Sequence, residues 1–212
     1  MIAALFLASS AVETAVDAER AFARDAKKIG QWTAFRKWAD RDAVMFAPKA
    51  VWARTFLKPL KDPPNSISWR PTQSFVSCDR RTAVNTGPWF QQDGRLAGYF
   101  TTVWQHTGSG WRWAYDGGGP LQGSSFKGKT KVNPASCAGE APGPPVIPPP
   151  SLTLKEALTT PEDNGRGRSA DKTLGWDWKV GKNGARHFRL YQWNGERYLE
   201  VLHNDVPPPR AK

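Results

Sequence analysis

Asp116 closes a run in which Trp111, Trp113 and Tyr115 alternate with Arg112 and Ala114. A carboxylate at the end of such a strand, facing an apolar pocket, loses solvation, and its pKa rises until it can serve as a general acid or base near neutral pH. His106 stands one strand earlier, and imidazole changes charge in the same range. A His106–Asp116 pair across the ladder is therefore the sharpest acid–base arrangement the chain offers. Both residues also have ordinary roles. Asp116 is suited to cap a turn at Gly117-Gly118-Gly119 by accepting from backbone amides, the favoured role, and His106 is suited to solvation at a hairpin end. Asp40 and Asp42 flank Arg41 as a second close carboxylate pair, but a helix-to-strand corner is where Asp commonly sets turn geometry. Arg70, before Pro71, fits either bidentate capture of a carboxylate or phosphate or a surface ion pair.

The most distinctive feature is the set of 11 tryptophans. Trp32, Phe35 and Trp38 recur at helical spacing, and Trp69, Trp89, Tyr99 and Trp104 fall in strand-like runs. Together they are candidate walls of a cavity for a small apolar or aromatic ligand. Core packing is the commoner role for each one singly.

Cys78 and Cys137 are the only cysteines, and neither lies in a CxxC. An oxidising compartment would join them, so a Cys78–Cys137 disulfide is expected, closing a loop in front of a Pro-rich segment. His106, His187 and His203 are scattered, with no HExxH or Cys/His spacing, so sequence assembles no metal site and calls for no cofactor.

These residues need elements to position them. Apolar positions at Ala15, Ala18, Phe22, Ala26 and Ile29 predict an amphipathic helix, with Glu13, Asp17 and Glu19 at its start and Lys27 and Lys28 at its end compensating the dipole. Gly30 stops it. A second helix carries Trp32, Phe35 and Trp38, a short strand runs Ala43 to Phe46, and Val51 to Leu57 makes a third helix before Pro59, Pro63 and Pro64 impose a loop. Strands follow at Trp69 to Ser77, Thr82 to Phe90, Leu96 to His106 and Trp111 to Tyr115, with Asp93-Gly94 and Gly108-Ser109-Gly110 as hairpin turns.

Beyond Asp116 the chain turns Gly-rich, and residues 141–150 hold six prolines in ten, which reads as a stiff spacer. A short helix over Leu152 to Leu158 and a mobile stretch from Pro161 to Ala170 lead into strands Thr173 to Val180, Ala185 to Trp193 and Arg197 to His203. Such a meander buries too little to stand alone, so Trp176, Trp178, Trp193 and Tyr198 should dock on the first domain. The expected organisation is a signal peptide over 1–11, a domain over 12–136, a Pro-rich linker over 137–170, a β-meander over 171–206 and a tail over 207–212.

Thirty basic against 19 acidic residues give +11, while 39% apolar and 12% aromatic content exclude a disordered chain. The charge is spread evenly rather than gathered on an arm or face, which argues against specific nucleic-acid binding. The longest apolar run, Ile2 to Val12, is too short for a membrane anchor. It suits a secretory signal, with Ser9-Ser10-Ala11 as a small-x-small cleavage pattern. The expected location is periplasmic or secreted; the alternative is a cytoplasmic chain that simply begins with a helix.

Ala18-Glu19-Arg20-Ala21-Phe22-Ala23, then Gly30 with Ala34-Phe35, then Ala39 through Pro48 resemble the opening of the nuclear-transport-factor-2-like superfamily, in particular its SnoaL-like bacterial members. Trp69-Arg70-Pro71, Thr86-Gly87, Gly98-Tyr99-Phe100 with Trp104, and Gly110-Trp111-Arg112 leading to Asp116-Gly117-Gly118 look like that family's strands, so the resemblance covers about residues 15–118. It implies an α+β fold, a cone-shaped curved antiparallel sheet wrapped on helices, here with a C-terminal β-meander extension. Ketosteroid isomerases of this family carry a base just before the proline that ends the first strand, where this chain has Ala47. Their protonated oxyanion Asp falls near Thr102. Both acids are missing. The leading expectation is thus an exported binding or interaction module with an aromatic-lined cavity. Its alternatives are a SnoaL-like isomerase, cyclase or dehydratase using Asp116 or His106, and an envelope-associated protein that forms a homodimer through its exposed sheet face.

Overall fold

The computed structural model describes residues 14–120, 128–144 and 163–209. Helix α1 (Ala15–Ile29) starts at Thr14, whose hydroxyl accepts from the Asp17 backbone N–H at 3.2 Å. Its buried stripe is Ala15, Ala18, Glu19, Phe22 and Ala26, so Glu19 lies inside rather than at a solvated first turn. Gly30 follows at φ 104°, and α2 (Gln31–Trp38) begins at once. The start of α2 is capped from outside by Asp62, which accepts from the Thr33 backbone N–H at 2.9 Å and from the Thr33 hydroxyl at 2.5 Å.

Strand β1 (Ala39–Phe46) takes over directly from α2, so Asp40 and Asp42 belong to a strand; Arg41 and Asp42 face solvent, 3.5 Å apart. The chain returns as β2 (Ala50–Trp52), which the sequence pattern did not suggest, and forms α3 (Ala53–Leu57). The run expected as one strand from Trp69 is broken at Arg70-Pro71 into β3 (Ser68–Trp69) and β4 (Gln73–Val76), as a residue without an N–H requires. Three long strands follow, β5 (Thr82–Phe90), β6 (Leu96–Thr107) and β7 (Gly110–Pro120), and then a short β8 (Lys131–Pro134).

The resulting sheet has the order β2-β1-β7-β6-β5-β4-β8, with β3 on the end of β5. Its central ladders are antiparallel, as expected for the cone, but β1 runs parallel to β7 and β8 parallel to β4, so the sheet is mixed. One face is wrapped on the helices through a core of Phe22, Phe35, Trp38, Trp69, Trp104 and Trp113. Phe22 sits at its centre, with edge-on ring contacts to Phe35 at 4.7 Å and Trp69 at 4.8 Å.

The opposite face is covered by the chain's own C-terminal sheet. This comprises β9 (Asn164–Arg168), β10 (Leu174–Val180), β11 (Arg186–Trp193) and β12 (Tyr198–Val206), antiparallel in the order β12-β11-β10-β9. Val44, Phe75, Val103 and Tyr115 pack there against Trp176, Trp178, Phe188 and Leu190. The face through which a dimer was expected is therefore filled from within. Strand β9 replaces part of the stretch expected to be mobile; its Gly165 and Gly167 lie opposite Trp178 and Trp176 in register, leaving room for the two indoles.

Cys78 and Cys137 are joined, with Cα atoms 5.2 Å apart. The bridge is set among contacts to the second sheet: the Ser136 backbone N–H donates to the Trp193 carbonyl, the Trp193 indole to the Ala138 carbonyl, and the Cys78 backbone N–H to the Thr173 hydroxyl, each at 2.9 Å. The segment 1–11, expected to be a signal peptide, and the expected helix from Leu152 to Leu158 lie outside the described residues. Among the described residues no helix is long and apolar enough to cross a membrane.

Candidate functional site

The site begins with a β-bulge. On the β6–β7 ladder Val103 stands opposite Tyr115 and Trp104 opposite Trp113, which leaves Ala114 as an extra residue. One added residue inverts the alternation beyond it. Trp111 and Trp113 therefore join the helix-side core, Tyr115 joins the core beneath the second sheet, and Asp116 turns to the helix side. The expected common face for all three aromatics does not occur. Nor is Asp116 a turn cap: β7 stays extended through Gly117, Gly118 and Gly119, which pair with Thr101, Phe100 and Tyr99.

Asp116 lines a cavity of about 210 Å³. Its walls are Phe35 from α2, Met45 and Phe46 from β1, Ile67 and Trp69 at β3, Trp89 from β5, Tyr99 and Phe100 from β6, Gly117 and Gly118, with Arg186 from β11 closing one side. Asp116 accepts from the Thr102 hydroxyl, its cross-strand partner, at 3.2 Å. Burial first, and then the charge of Glu19, push its carboxyl up to about 8; the Thr102 hydrogen bond and Arg186 act the other way. The residue is half-buried because one of its sides is the cavity itself. Arg186 donates to the Gly118 carbonyl at 2.8 Å and lies 4.7 Å over the Phe46 ring.

Behind the Trp69 wall is Glu19, fully buried. Its oxygens accept from the Trp69 indole at 2.7 Å, the Trp104 indole at 2.6 Å and the Asn85 amide at 3.3 Å. Desolvation drives its carboxyl up to about 7 against the pull of those three donors. Periodicity held the signal for this residue: Glu19 is four residues after Ala15 and three before Phe22, on the apolar stripe, although helix-dipole compensation is the simpler reading of an acid in a second turn.

The remaining candidates are distributed as follows. Phe35, Trp69, Trp89 and Tyr99 line the cavity. Trp32 packs on Phe35 at 5.5 Å, Trp38 donates to Asp25 at 2.8 Å, and Trp104 is fully buried on Glu19, so these three serve the core. Arg70 is exposed, 5.4 Å over the Phe90 ring. His106 is exposed opposite Trp111, four register positions from the Thr102–Asp116 pair, so no His106–Asp116 dyad forms. Met45, Phe46, Phe100 and above all Arg186 are additions that sequence reasoning did not reach. A broader cleft of about 690 Å³ opens at the start of α1 between Arg20, Arg80 and Val132, but the smaller cavity is the one with an aromatic wall and an inward carboxyl.

No family model and no curated protein matches the chain. Among solved structures, a proposed aromatic ring hydroxylase from Novosphingobium aromaticivorans matches at 17% identity and a TM-score of 0.36, over 50% of this chain and 85% of that one. A proposed ketosteroid isomerase from Parabacteroides distasonis matches at 15% identity and a TM-score of 0.43, over 54% and 94%.

Proposed function

We propose that this chain is a nuclear-transport-factor-2-like cone that binds a small, flat, mostly apolar molecule with one polar group, held between aromatic walls with Asp116 and Arg186 as the polar contacts. The observation that carries the reading is an aromatic-walled cavity whose inward-facing acid is Asp116. Size narrows the ligand. A cavity of about 150 Å³ holds benzene, and drug-sized ligands use about 300 Å³ or more, so 210 Å³ suits one ring with a short substituent. Its raised pKa favours the neutral Asp116 carboxyl more than for an ordinary Asp, and in that form it donates to a ligand carbonyl or hydroxyl. The disulfide supports an exported, oxidising setting, periplasmic or secreted.

The test is a thermal-shift screen of one- and two-ring phenols, ketones and carboxylates, read alongside tryptophan fluorescence from Trp69 and Trp89. Hits should be single-ring compounds, and Asp116→Ala, which removes the donor that Asn would keep, should weaken them by about tenfold, a lost buried hydrogen bond being worth about 1–3 kcal/mol. A screen in which bound compounds leave the fluorescence unchanged and ignore Asp116→Ala would place binding elsewhere.

The raised pKa of Asp116 favours one further reading, proton transfer to or from a carbon or oxygen of the bound ligand. Thr102 would then orient the carboxyl. Deuterium uptake by a bound carbon acid in D2O, lost in Asp116→Asn, distinguishes transfer from binding.

A further inference from the structure

We propose that His187, His203 and Asp205, on the outer face of the β11–β12 ladder, bind a divalent transition-metal ion of the Zn2+ class, with Glu200 orienting His203. No spacing rule reveals this set; strand pairing creates it. His187 lies opposite Asp205 in register, and His203, two residues before Asp205, shares its face. His187 Nδ1 is 2.5 Å and His203 Nε2 2.9 Å from the same oxygen of Asp205, and the donor atoms of the three side chains all lie within 4.8 Å of one another. Ligands at about 2.0–2.1 Å from a tetrahedral zinc stand about 3.3 Å apart. The present separations bracket that value, so seating an ion needs only small side-chain swings on a paired backbone.

The second coordination layer is also in place. His203 turns Nε2 to the cluster and Nδ1 to Glu200 Oε1 at 3.1 Å, so a proton on Nδ1 would be held by Glu200 and Nε2 would offer its lone pair to a metal. Two imidazoles and one carboxylate supply three ligands and leave a fourth position to water, since the side chains are 39–55% exposed. This nitrogen–oxygen donor set suits Zn2+, Cu2+ or Ni2+ better than Ca2+ or Mg2+, which prefer oxygen alone. Lys179 and Arg189 share the face, opposite His187 and His203 in register, and Asp177 and Glu200 offset their charge. The face points away from the core that the second sheet shares with the cone, so the proposal is independent of the cavity.

The experiment is calorimetric titration of the tag-free chain with ZnCl2 in a non-coordinating buffer. One equivalent should bind per chain, His187→Ala and His203→Ala should each weaken it at least tenfold, Glu200→Gln about tenfold, and Cu2+ should bind more tightly than Zn2+. All these residues are exposed, so the variants should melt like the parent. Imidazole nitrogen resonances of the parent chain give a readout without substitution: His187 and His203 should shift with zinc while His106 does not. No saturable binding, an unchanged affinity in the His187→Ala/His203→Ala double variant, or a response confined to His106 would each overturn the site.

Discussion

Trp69 donates its indole N–H to Glu19 at 2.7 Å and at the same time forms part of the cavity wall. One side chain thus joins the buried acid to the candidate ligand site. Asp116 also senses Glu19, whose charge is the second cause, after burial, of the raised pKa of Asp116.

The buried Glu19 makes stability depend on pH. Its carboxyl rises from 4.5 to about 7 on folding, so the folded chain holds this proton more tightly than the unfolded one. Below pH 4.5 both states carry the proton and no penalty exists. Between about 4.5 and 7 the penalty grows, and above 7 it is constant at about 3 kcal/mol. Stability should therefore fall as pH rises through that window. Urea unfolding of the parent and of Glu19→Gln at pH 5 and pH 8 checks this: the parent should lose about 2–3 kcal/mol more than the variant between the two values, part of the penalty being present already at pH 5. Parallel losses would mean that Glu19 keeps an ordinary pKa.

Arg186 holds the pKa of Asp116 down from across the cavity. Arg186→Ala should therefore raise that pKa further, and carboxyl carbon resonances followed through a pH titration report it. The Phe46 ring loses its cation in the same variant, at a cost of about 0.5–2 kcal/mol. An unmoved Asp116 titration would show that the guanidinium is screened by cavity water.

Much of this architecture is visible in periodicity and turn chemistry. The 3.6-residue spacing from Ala15 to Ile29, the stop at Gly30 and the Asp93-Gly94 and Gly108-Ser109-Gly110 turns all mark real boundaries. What was hidden depends on pairing. The bulge at Ala114 obeys no local rule, yet it decides that Asp116 faces the cavity and Tyr115 does not. Arg186 lies 68 or more residues beyond the other walls of the cavity, and β9, made of Asn, Gly and Arg, has no strand propensity at all. It exists because two tryptophans on β10 need glycine opposite them. The aromatic wall was legible by residue type, but whether Trp38 or Trp89 faced the cavity could be settled only by the fold.

The Cys78–Cys137 bridge closes a segment with a sequence separation of 59. In the chain-entropy model that is worth about 4 kcal/mol. Reduction should lower the melting temperature sharply and should first loosen the second sheet, since Ser136 and Ala138 beside the bridge bond to Trp193. Hydrogen exchange of β10 and β11 amides with and without reductant is the measurement. Equal protection in both states would confine the bridge's effect to the β4–β5 turn.

Gly165 tests the packing of the second sheet. In an ordinary strand, replacing glycine by alanine stabilises by about 0.5–1 kcal/mol, because it removes freedom from the unfolded chain. Here a Cβ would stand 2.6 Å from the Trp178 ring, which is itself wedged against Phe46 at 5.4 Å and cannot retreat freely. Overpacking of this kind costs about 1–3 kcal/mol, so the collision should outweigh the entropy and Gly165→Ala should destabilise by about 1 kcal/mol or more. Gly108 is the matched control, since nothing lies within 4 Å of a Cβ built there. Gly108→Ala should stay within about 0.5 kcal/mol of the parent. Chemical denaturation of the pair reads the difference, and a Gly165→Ala variant as stable as Gly108→Ala would mean that β9 does not press on Trp178.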